Sequence, residues 1–358
     1  MAPSETSQLR IALDAMGGDN APFSVLKGAD FACQKYKNVN FLLFGDQSKI
    51  NPILEKLPAL QKVSSVIHTD KVVTNEDKPS AAIRQGRDSS MGMAIKAVHD
   101  GTADGIVSSG NTGALMAIAK ITLRTLPGID RPAIATAYPT MRGRCIVLDL
   151  GANVECDANN LFQFAVMGDA FAHAVLQVER PSIGLLNVGS EEAKGNEVVK
   201  AAASMLKENG LKLNYYGHVE GDDITKGTVD VVVSDGFSGN ISLKTAEGTA
   251  HMFSHFLKMA FKSSWISKLG YLLARPALKK VFNALDPRQH NGAMFLGLNG
   301  IVVKSHGGTD EVGFANAIGV AVELITHKIN EQITKEIEIS HRNGHQKMPE
   351  LASATSKN

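Results

Sequence analysis

The chain has 358 residues, and 37 Lys and Arg against 36 Asp and Glu leave a formal net charge of +1. Hydrophobic residues make up 44% and charged residues 20%, an ordinary globular composition that excludes a disordered, collagenous or coiled-coil chain. The near-zero charge argues against a general nucleic-acid binder, and the length suits two compact units or one large α/β unit.

Residues 1–8 are polar, lack the apolar stretch of a secretory signal and are expected to be flexible. Residues 9–337 read as one catalytic unit with a recurring pattern: a short apolar run, a loop rich in Gly, Asp, Asn and Ser, then a helix-like segment. Run 10–13 leads into Asp14, Gly17, Gly18 and Asp19, and run 40–44 into Gly45 and Asp46. Run 105–107 leads into Ser109, Gly110, Asn111, Thr112 and Gly113, and run 145–148 into Asp149, Gly151 and Asn153. Run 183–186 leads into Asn187, Gly189, Ser190, Glu192, Lys194 and Asn196. Run 230–233 leads into Asp235, Gly236, Ser238, Gly239 and Asn240, with Lys244 one turn further on, and run 300–303 into Lys304, His306 and Gly307.

Runs such as Val231-Val232-Val233 do not alternate, which suits strands covered on both faces. Segments 114–124, 162–178 and 311–333 carry apolar residues at helical spacing. Strands alternating with helices predict a doubly wound, mainly parallel α/β sheet with helices on both faces. Such a sheet gathers its loops at the carboxyl ends of its strands, where ligands bind. Small residues there let backbone N–H groups approach an anion, phosphate above all, although each loop taken alone also reads as a tight turn.

Segment 251–290 differs. Phe253, Phe256, Leu257, Phe261, Trp265, Leu269 and Leu272 recur at helical spacing, and Lys258, Lys262, Lys268, Arg275, Lys279, Lys280 and Arg288 face a single acid, Asp286. An apolar face with a cationic flank suits an amphipathic insertion facing an anionic membrane or a partner, with Pro276 and the Asp286-Pro287 pair breaking it into two helices. A core or dimer-interface helix has the same stripe. No run reaches the ~18 apolar residues of a membrane span, so a cytoplasmic protein is expected. Residues 338–358 are polar and expected to be disordered.

The sequence has no G-x-G, no phosphate-binding P-loop, no H-E-x-x-H and no G-x-S-x-G. Cys33, Cys145 and Cys156 form no C-x-x-C pair, and the pairs His251/His255 and His341/His345 lack a third ligand, so neither metal nor cofactor is expected. What is left is a phosphate-cradling enzyme without an obvious nucleophilic side chain. Such a site is coherent if phosphate itself attacks an activated acyl carbon, with positioning supplying about 7–11 kcal/mol of the barrier.

Taken together, the loops at Asp14–Asp19, Ser109–Gly113, Asp149–Asn153, Asn187–Asn196, Asp235–Asn240 and Lys304–Gly307 resemble those of the PlsX family of phosphate acyltransferases, in order and over about residues 9–335. The resemblance implies conversion of acyl-[acyl carrier protein] and orthophosphate into acyl phosphate and free carrier protein. The product would feed a glycerol-3-phosphate acyltransferase in phospholipid synthesis. It further implies a fold similar to phosphotransacetylase and the isopropylmalate dehydrogenase group, and a cytoplasmic homodimer peripherally associated with the membrane.

Asn111 in its loop is the leading phosphate cradle, or an ordinary helix cap. Lys194 would supply positive charge to phosphate or oxyanion, or is a solvated lysine. His306 would protonate the departing thiolate, or caps its loop. Asp14, Gly17, Gly18, Asp19, Ser109, Gly110, Thr112, Gly113, Asn153, Asn187, Gly189, Ser190, Glu192, Asn196, Asp235, Gly236, Ser238, Gly239, Asn240, Lys244 and Lys304 are candidate substrate-binding residues. Arg84 and Arg87 suit phosphate, an acidic carrier protein or solvent. The competing readings are a short-chain phosphotransacetylase using acyl-CoA, a non-catalytic lipid-membrane scaffold and, more distantly, a dehydrogenase of the same fold.

Overall fold

A computed structural model describes residues 8–74, 76–77, 82–84, 86–208, 213–284 and 287–354. The expectations for Met1–Ser7, Lys78–Ser80 and Asp286 therefore lie outside the described residues. In chain order the strands are β1 (Leu9–Asp14), β2 (Val39–Gly45), β3 (Ser64–His68), β4 (Gly105–Ser108), β5 (Ala133–Thr140), β6 (Gly143–Leu148), β7 (Ser182–Leu186), β8 (Asn214–Val219), β9 (Val231–Val233), β10 (Ala293–Leu296) and β11 (Ile301–Lys304). The helices are α1 (Phe23–Lys35), α2 (Gln47–Leu54), α3 (Pro58–Gln61), α4 (Ser90–His99), α5 (Thr112–Leu123), α6 (Ala158–Leu176), α7 (Glu197–Glu208), α8 (Gly221–Lys226), α9 (Gly236–Lys262), α10 (Trp265–Ala284), α11 (Glu311–Thr326) and α12 (Ile329–Ala354).

All strands join one 11-stranded sheet in the order β3-β2-β1-β4-β11-β10-β5-β6-β9-β7-β8. Most neighbours are parallel, as the unbroken apolar runs predict; β10–β11, β5–β10 and β5–β6 are antiparallel. Successive strand residues serve opposite faces. Ile11 and Leu13 of β1, Val107 of β4 and Val303 of β11 join the core under α1, α6, α7 and α11. Ala12, Ile106 and Val302 join the core under α4 and α5. Helix α6 approaches the sheet through Gly168, where a Cβ would stand 2.6 Å from Val231 Cγ1 and 3.1 Å from Leu148 Cδ2.

The run of antiparallel pairings has a consequence for the site. Crossing from β11 through β10 and β5 to β6 reverses strand direction, so the carboxyl ends of β1, β4 and β11 lie at one edge of the sheet and those of β6, β7, β8 and β9 at the other.

Three boundaries differ from expectation. Segment 311–333 is two helices, α11 and α12, whose axes are bent by 51°; Lys328 between them takes a φ of 51°, which ends the helical run. Helix α12 runs to Ala354, where disorder was expected from 338. The amphipathic segment begins earlier, at Gly236, and its two helices part at Ser263 and Ser264, where the Ser264 hydroxyl accepts from the Ser267 N–H at 3.0 Å; Pro276 lies inside α10. Among the described residues no single helix is long and apolar enough to cross a membrane.

The contact of α6 with the sheet yields a stability prediction. Gly168→Val forces two extra methyl groups against Val231 and Leu148 and should lower the unfolding free energy by about 1–3 kcal/mol, read as a lower urea midpoint at unchanged slope.

Candidate functional site

Strands β1, β4 and β11 are adjacent and in register, with Leu13 opposite Val107 and Ser108 opposite Lys304. Their carboxyl ends therefore meet. Asp14, only 1% exposed, accepts hydrogen bonds from the Ser90 hydroxyl at 2.6 Å and the Ser108 hydroxyl at 2.7 Å. The Ser108 hydroxyl in turn accepts from the Gly110 N–H at 3.0 Å. A Cβ on Gly17 would collide with the Asp14 carboxylate, so this turn needs glycine. Burial pushes the Asp14 carboxyl above its usual range, while the two serines, the Met16 N–H and Lys304 hold it back.

Lys304 is the cation of this rim. Its Nζ donates to the carbonyls of Ser109, at 3.3 Å, and Ser305. Burial lowers the ammonium from 10.5 to about 8, against the pull of Asp14 and Asp19 in the opposite direction. Ser109 is 1% exposed, and its hydroxyl has no hydrogen-bond partner among the described residues. It packs against Gly18, whose φ is 101°. The chain after β11 is tied to the same rim: the Ser305 N–H donates to the Ser108 carbonyl and the Asp19 N–H to the Gly307 carbonyl, each at 2.9 Å. His306 is exposed, and its Nδ1 accepts from the Gly308 N–H at 3.2 Å, so the neutral ring carries its proton on Nε2.

Helix α5 opens at this edge. Asn111 is its N-cap: Oδ1 accepts from the Ala114 N–H at 3.1 Å, and Nδ2 donates to the carbonyls of Thr74 and Asp77. Asn111 thus caps the helix and holds Thr74 and Asp77 to it. Thr112 and Gly113 are exposed in the first turn, where backbone N–H groups have no intrahelical partner. A lysine, an unpartnered hydroxyl and a helix N-terminus at one edge suit a tetrahedral oxyanion.

The remaining candidates lie at the opposite edge, a correction to the expectation of one shared rim; the reversal of strand direction is its cause. There Asp149 is fully buried and accepts from the N–H groups of Ile134, Gly151, Ala152 and Asn153 and from Asn153 Nδ2. A Cβ on Gly236 would stand 2.5 Å from the Asn153 carbonyl, and one on Gly239 would collide with the Asp149 carbonyl. These glycines let α9 pack on the Asp149 loop. Asp235 caps α9 through the Ser238 N–H at 2.7 Å, and Asn240 lies beside Gly151. Asn187 Nδ2 donates to the carbonyls of Gly189 and Lys194, and Asn196 caps Val199. Ser190 is exposed. Lys194 pairs with Glu191 at 2.8 Å, Glu192 with Lys207, and Lys244 with Glu247. The structure thus places Lys194 apart from Asn111 and His306. A cavity of about 500 Å³ opens here, lined by Leu161, Leu185, Asn187, Val199, Asp235 and Ser238 among others. Its one carboxylate, Asp235, serves a helix cap, and among the described residues no cation lines it.

Helices α9 and α10 form a hairpin; among their described residues only Gly236 and Gly239 are buried in α9. Phe253, Phe256, Leu269 and Leu272 are exposed, and Trp265 is 78% exposed. Leu257 and Phe261 are instead half-buried, Phe261 against Tyr271 with ring centres 5.2 Å apart, because they fall on the side where the two helices meet. Met252, Met259, Ile266 and Leu273 join the exposed face.

Sequence reasoning missed Ser90, Ser108 and Asn291. Ser108 adjoins a motif that was noticed; Ser90 and Asn291 carry no local signal. Among the described residues no group of His, Cys, Asp or Glu is placed to hold a metal.

A family model described as fatty acid synthesis protein matches residues 9–332. A phosphate acyltransferase from Paramagnetospirillum magneticum is 58% identical over 333 residues, covering 93% of this chain and 95% of that one. One from Rhodospirillum centenum is 60% identical over 327 residues, covering 91% and 92%. Among solved structures, a phosphotransacetylase from Streptococcus pyogenes superposes with a TM-score of 0.62 at 17% identity, covering 89% of this chain and 94% of that one, a likeness of fold.

The rim predicts its own pH dependence. The Lys304 ammonium is present below about 8 and lost above it, so affinity for inorganic phosphate should fall between pH 7 and pH 9. Lys304→Arg should keep binding at pH 9, and Lys304→Met should weaken it at pH 7 by about 10-fold or more, as expected for a lost hydrogen bond to a charged group. Isothermal titration reads all three; an affinity indifferent to both pH and residue 304 places the anion elsewhere.

Proposed function

The chain belongs to the phosphate acyltransferase family, and from that membership we propose that it converts a long-chain acyl-[acyl carrier protein] and orthophosphate into acyl phosphate and free acyl carrier protein. The observation that carries this reading is the pairing of Lys304, whose Nζ donates to the Ser109 carbonyl, with the Ser109 hydroxyl, which has no partner among the described residues, at the edge where α5 begins. The cysteines support it from the other side. Burial pushes the Cys145 thiol up to about 12 and Cys156 up to about 11, and it raises Cys33 as well. None is a thiolate near neutral pH, which argues against a cysteine as the nucleophile and agrees with phosphate in that role.

In this reading Lys304, Ser109 and the first N–H groups of α5 hold the phosphate dianion. A phosphate oxygen attacks the thioester carbon, and the former carbonyl oxygen carries the charge of the tetrahedral intermediate. The carbon–sulfur bond then breaks. The proton lost by the attacking phosphate ends on the carrier-protein thiolate; His306 would relay it by taking that proton at Nδ1, in place of the bond from the Gly308 N–H, and giving the proton on Nε2 to the sulfur. Asn111 acts by capping α5 and holding Thr74 and Asp77 to it, and Lys194 takes no part in the step.

The product is a mixed anhydride with an apolar tail. The exposed face of α9 and α10, flanked by Lys258, Lys262, Arg275 and Lys279, suits the surface of an anionic membrane, where a glycerol-3-phosphate acyltransferase would consume the product. The protein then acts as a cytoplasmic homodimer that docks peripherally.

Two assays test this. Palmitoyl-[acyl carrier protein] should give acyl phosphate at least about 100-fold more efficiently than acetyl-CoA does; the reverse preference makes the protein a short-chain phosphotransacetylase. In flotation with phosphatidylglycerol vesicles, Trp265→Asp with Leu272→Asp should lower binding by about 10-fold or more, because each side chain buries apolar area worth about 1.5–3 kcal/mol, while turnover on soluble substrate is kept. Vesicle binding without turnover at any chain length supports a scaffold instead.

A further inference from the structure

Asn291 stands between the return of the α9–α10 hairpin and β10, and its side chain is spent on the loop that follows β11. Its Oδ1 accepts from the His306 N–H at 2.9 Å. Its Nδ2 donates to the Ser305 hydroxyl at 2.7 Å, the Thr309 hydroxyl at 3.2 Å and the Gly313 carbonyl at 2.8 Å. Ser305 and Thr309 are buried, so these partners are out of water. One amide thus holds both ends of the 305–309 turn and the first turn of α11. The same return segment is fastened again by Arg288, which pairs with Asp310, the cap of α11, at 2.9 Å, while Asn316 donates to the Arg288 carbonyl.

Lys304 and His306 flank Ser305, and the Ser305 N–H is bonded to Ser108 at the β4 end. A shift of the turn therefore moves both groups relative to Asp14 and Ser109. We infer that Asn291 is a positioning residue for acyl transfer, setting the place of His306 and Lys304 at the phosphate rim; this rests on the function proposed above. An asparagine is needed for its chemistry. It must accept at one atom from a backbone N–H and donate at the other to oxygens that cannot all be served by a carboxylate. Leaving the buried Ser305 hydroxyl unpaired also loosens the turn.

The test compares Asn291→Ala and Asn291→Asp with the wild type in turnover of palmitoyl-[acyl carrier protein] and phosphate. Asn291→Ala should lower kcat by about 100-fold, the scale of a misplacement near 1 Å, and raise KM for phosphate by a smaller factor, about 10-fold or less, as Lys304 shifts with the turn. Asn291→Asp keeps the acceptor for His306, and when protonated it also regains a donor for Ser305. The charged groups around it are His306, Lys304, Asp19 and the Arg288–Asp310 pair. Its kcat relative to the wild type at the same pH should rise at least about fivefold from pH 8 to pH 6, as the new carboxylate, raised by its buried surroundings, takes up a proton. Should Asn291→Ala not fold, the pH ratio of Asn291→Asp decides. A folded Asn291→Ala with kcat within twofold of the wild type, or an Asn291→Asp deficit equal at both pH values, overturns the inference. A wild type that transfers no acyl group to phosphate overturns the function proposed above instead.

Discussion

A carboxylate sealed between two serine hydroxyls, with a lysine at its side, is the constraint around which one half of the molecule is arranged. Asp14 joins β1 to α4 through Ser90 and to β4 through Ser108, and it attracts Lys304 at the end of β11. The joined segments are far apart in sequence, so the contact exists only in the finished fold. Burying such charges is costly unless each is paired and hydrogen-bonded. The group pays that cost by fixing a lysine whose proton is held less tightly than in water, hydrogen-bonded to the residue whose hydroxyl has no partner among the described residues. An anion arriving there meets donors already in place, which is the condition for electrostatic stabilisation without reorganisation.

The other half of the sheet repeats the architecture but not the chemistry. Because strand direction reverses across β10 and β5, its loops open at the far edge. There Asp149 plays a part that looks like Asp14 in sequence yet is satisfied entirely by its own loop and by Ile134. Among the described residues Asp149 has no ion-pair partner, and Lys194 is neutralised at the surface by Glu191. Two sets of glycine-bearing loops thus divide into one that presents charge to a guest and one that closes on itself around a cavity of mixed polarity.

What was legible in the sequence follows from how local each signal is. The unbroken runs Ile11–Leu13 and Val231-Val232-Val233 announced buried strands, and the alternation with helices announced the doubly wound sheet. The loops were legible as loops, and their residues as a family pattern. Which edge a loop opens on was not, because it depends on the direction of β10 and β5, set by pairings far from the loop. Gly236 and Gly239 look like ligand glycines but accommodate the chain's own Asn153 and Asp149 carbonyls. Leu257 and Phe261 share the helical stripe of Phe253 and Trp265 yet face the partner helix of the hairpin. Asn291 carries no local cue, since its acceptors on Ser305, Thr309 and Gly313 come within reach only after β10 folds back on β11. The depressed ammonium of Lys304 is likewise a property of burial.

The account stands on phosphate being held at the first edge. A crystal structure of the wild-type protein with bound orthophosphate tests that most directly. The account predicts density for the ion within hydrogen-bonding distance of Lys304 Nζ and the Ser109 hydroxyl, in front of the first turn of α5. An ion seated instead among Asn187, Asn196 and Ser238, with the Asp14 edge empty at saturating phosphate, contradicts it.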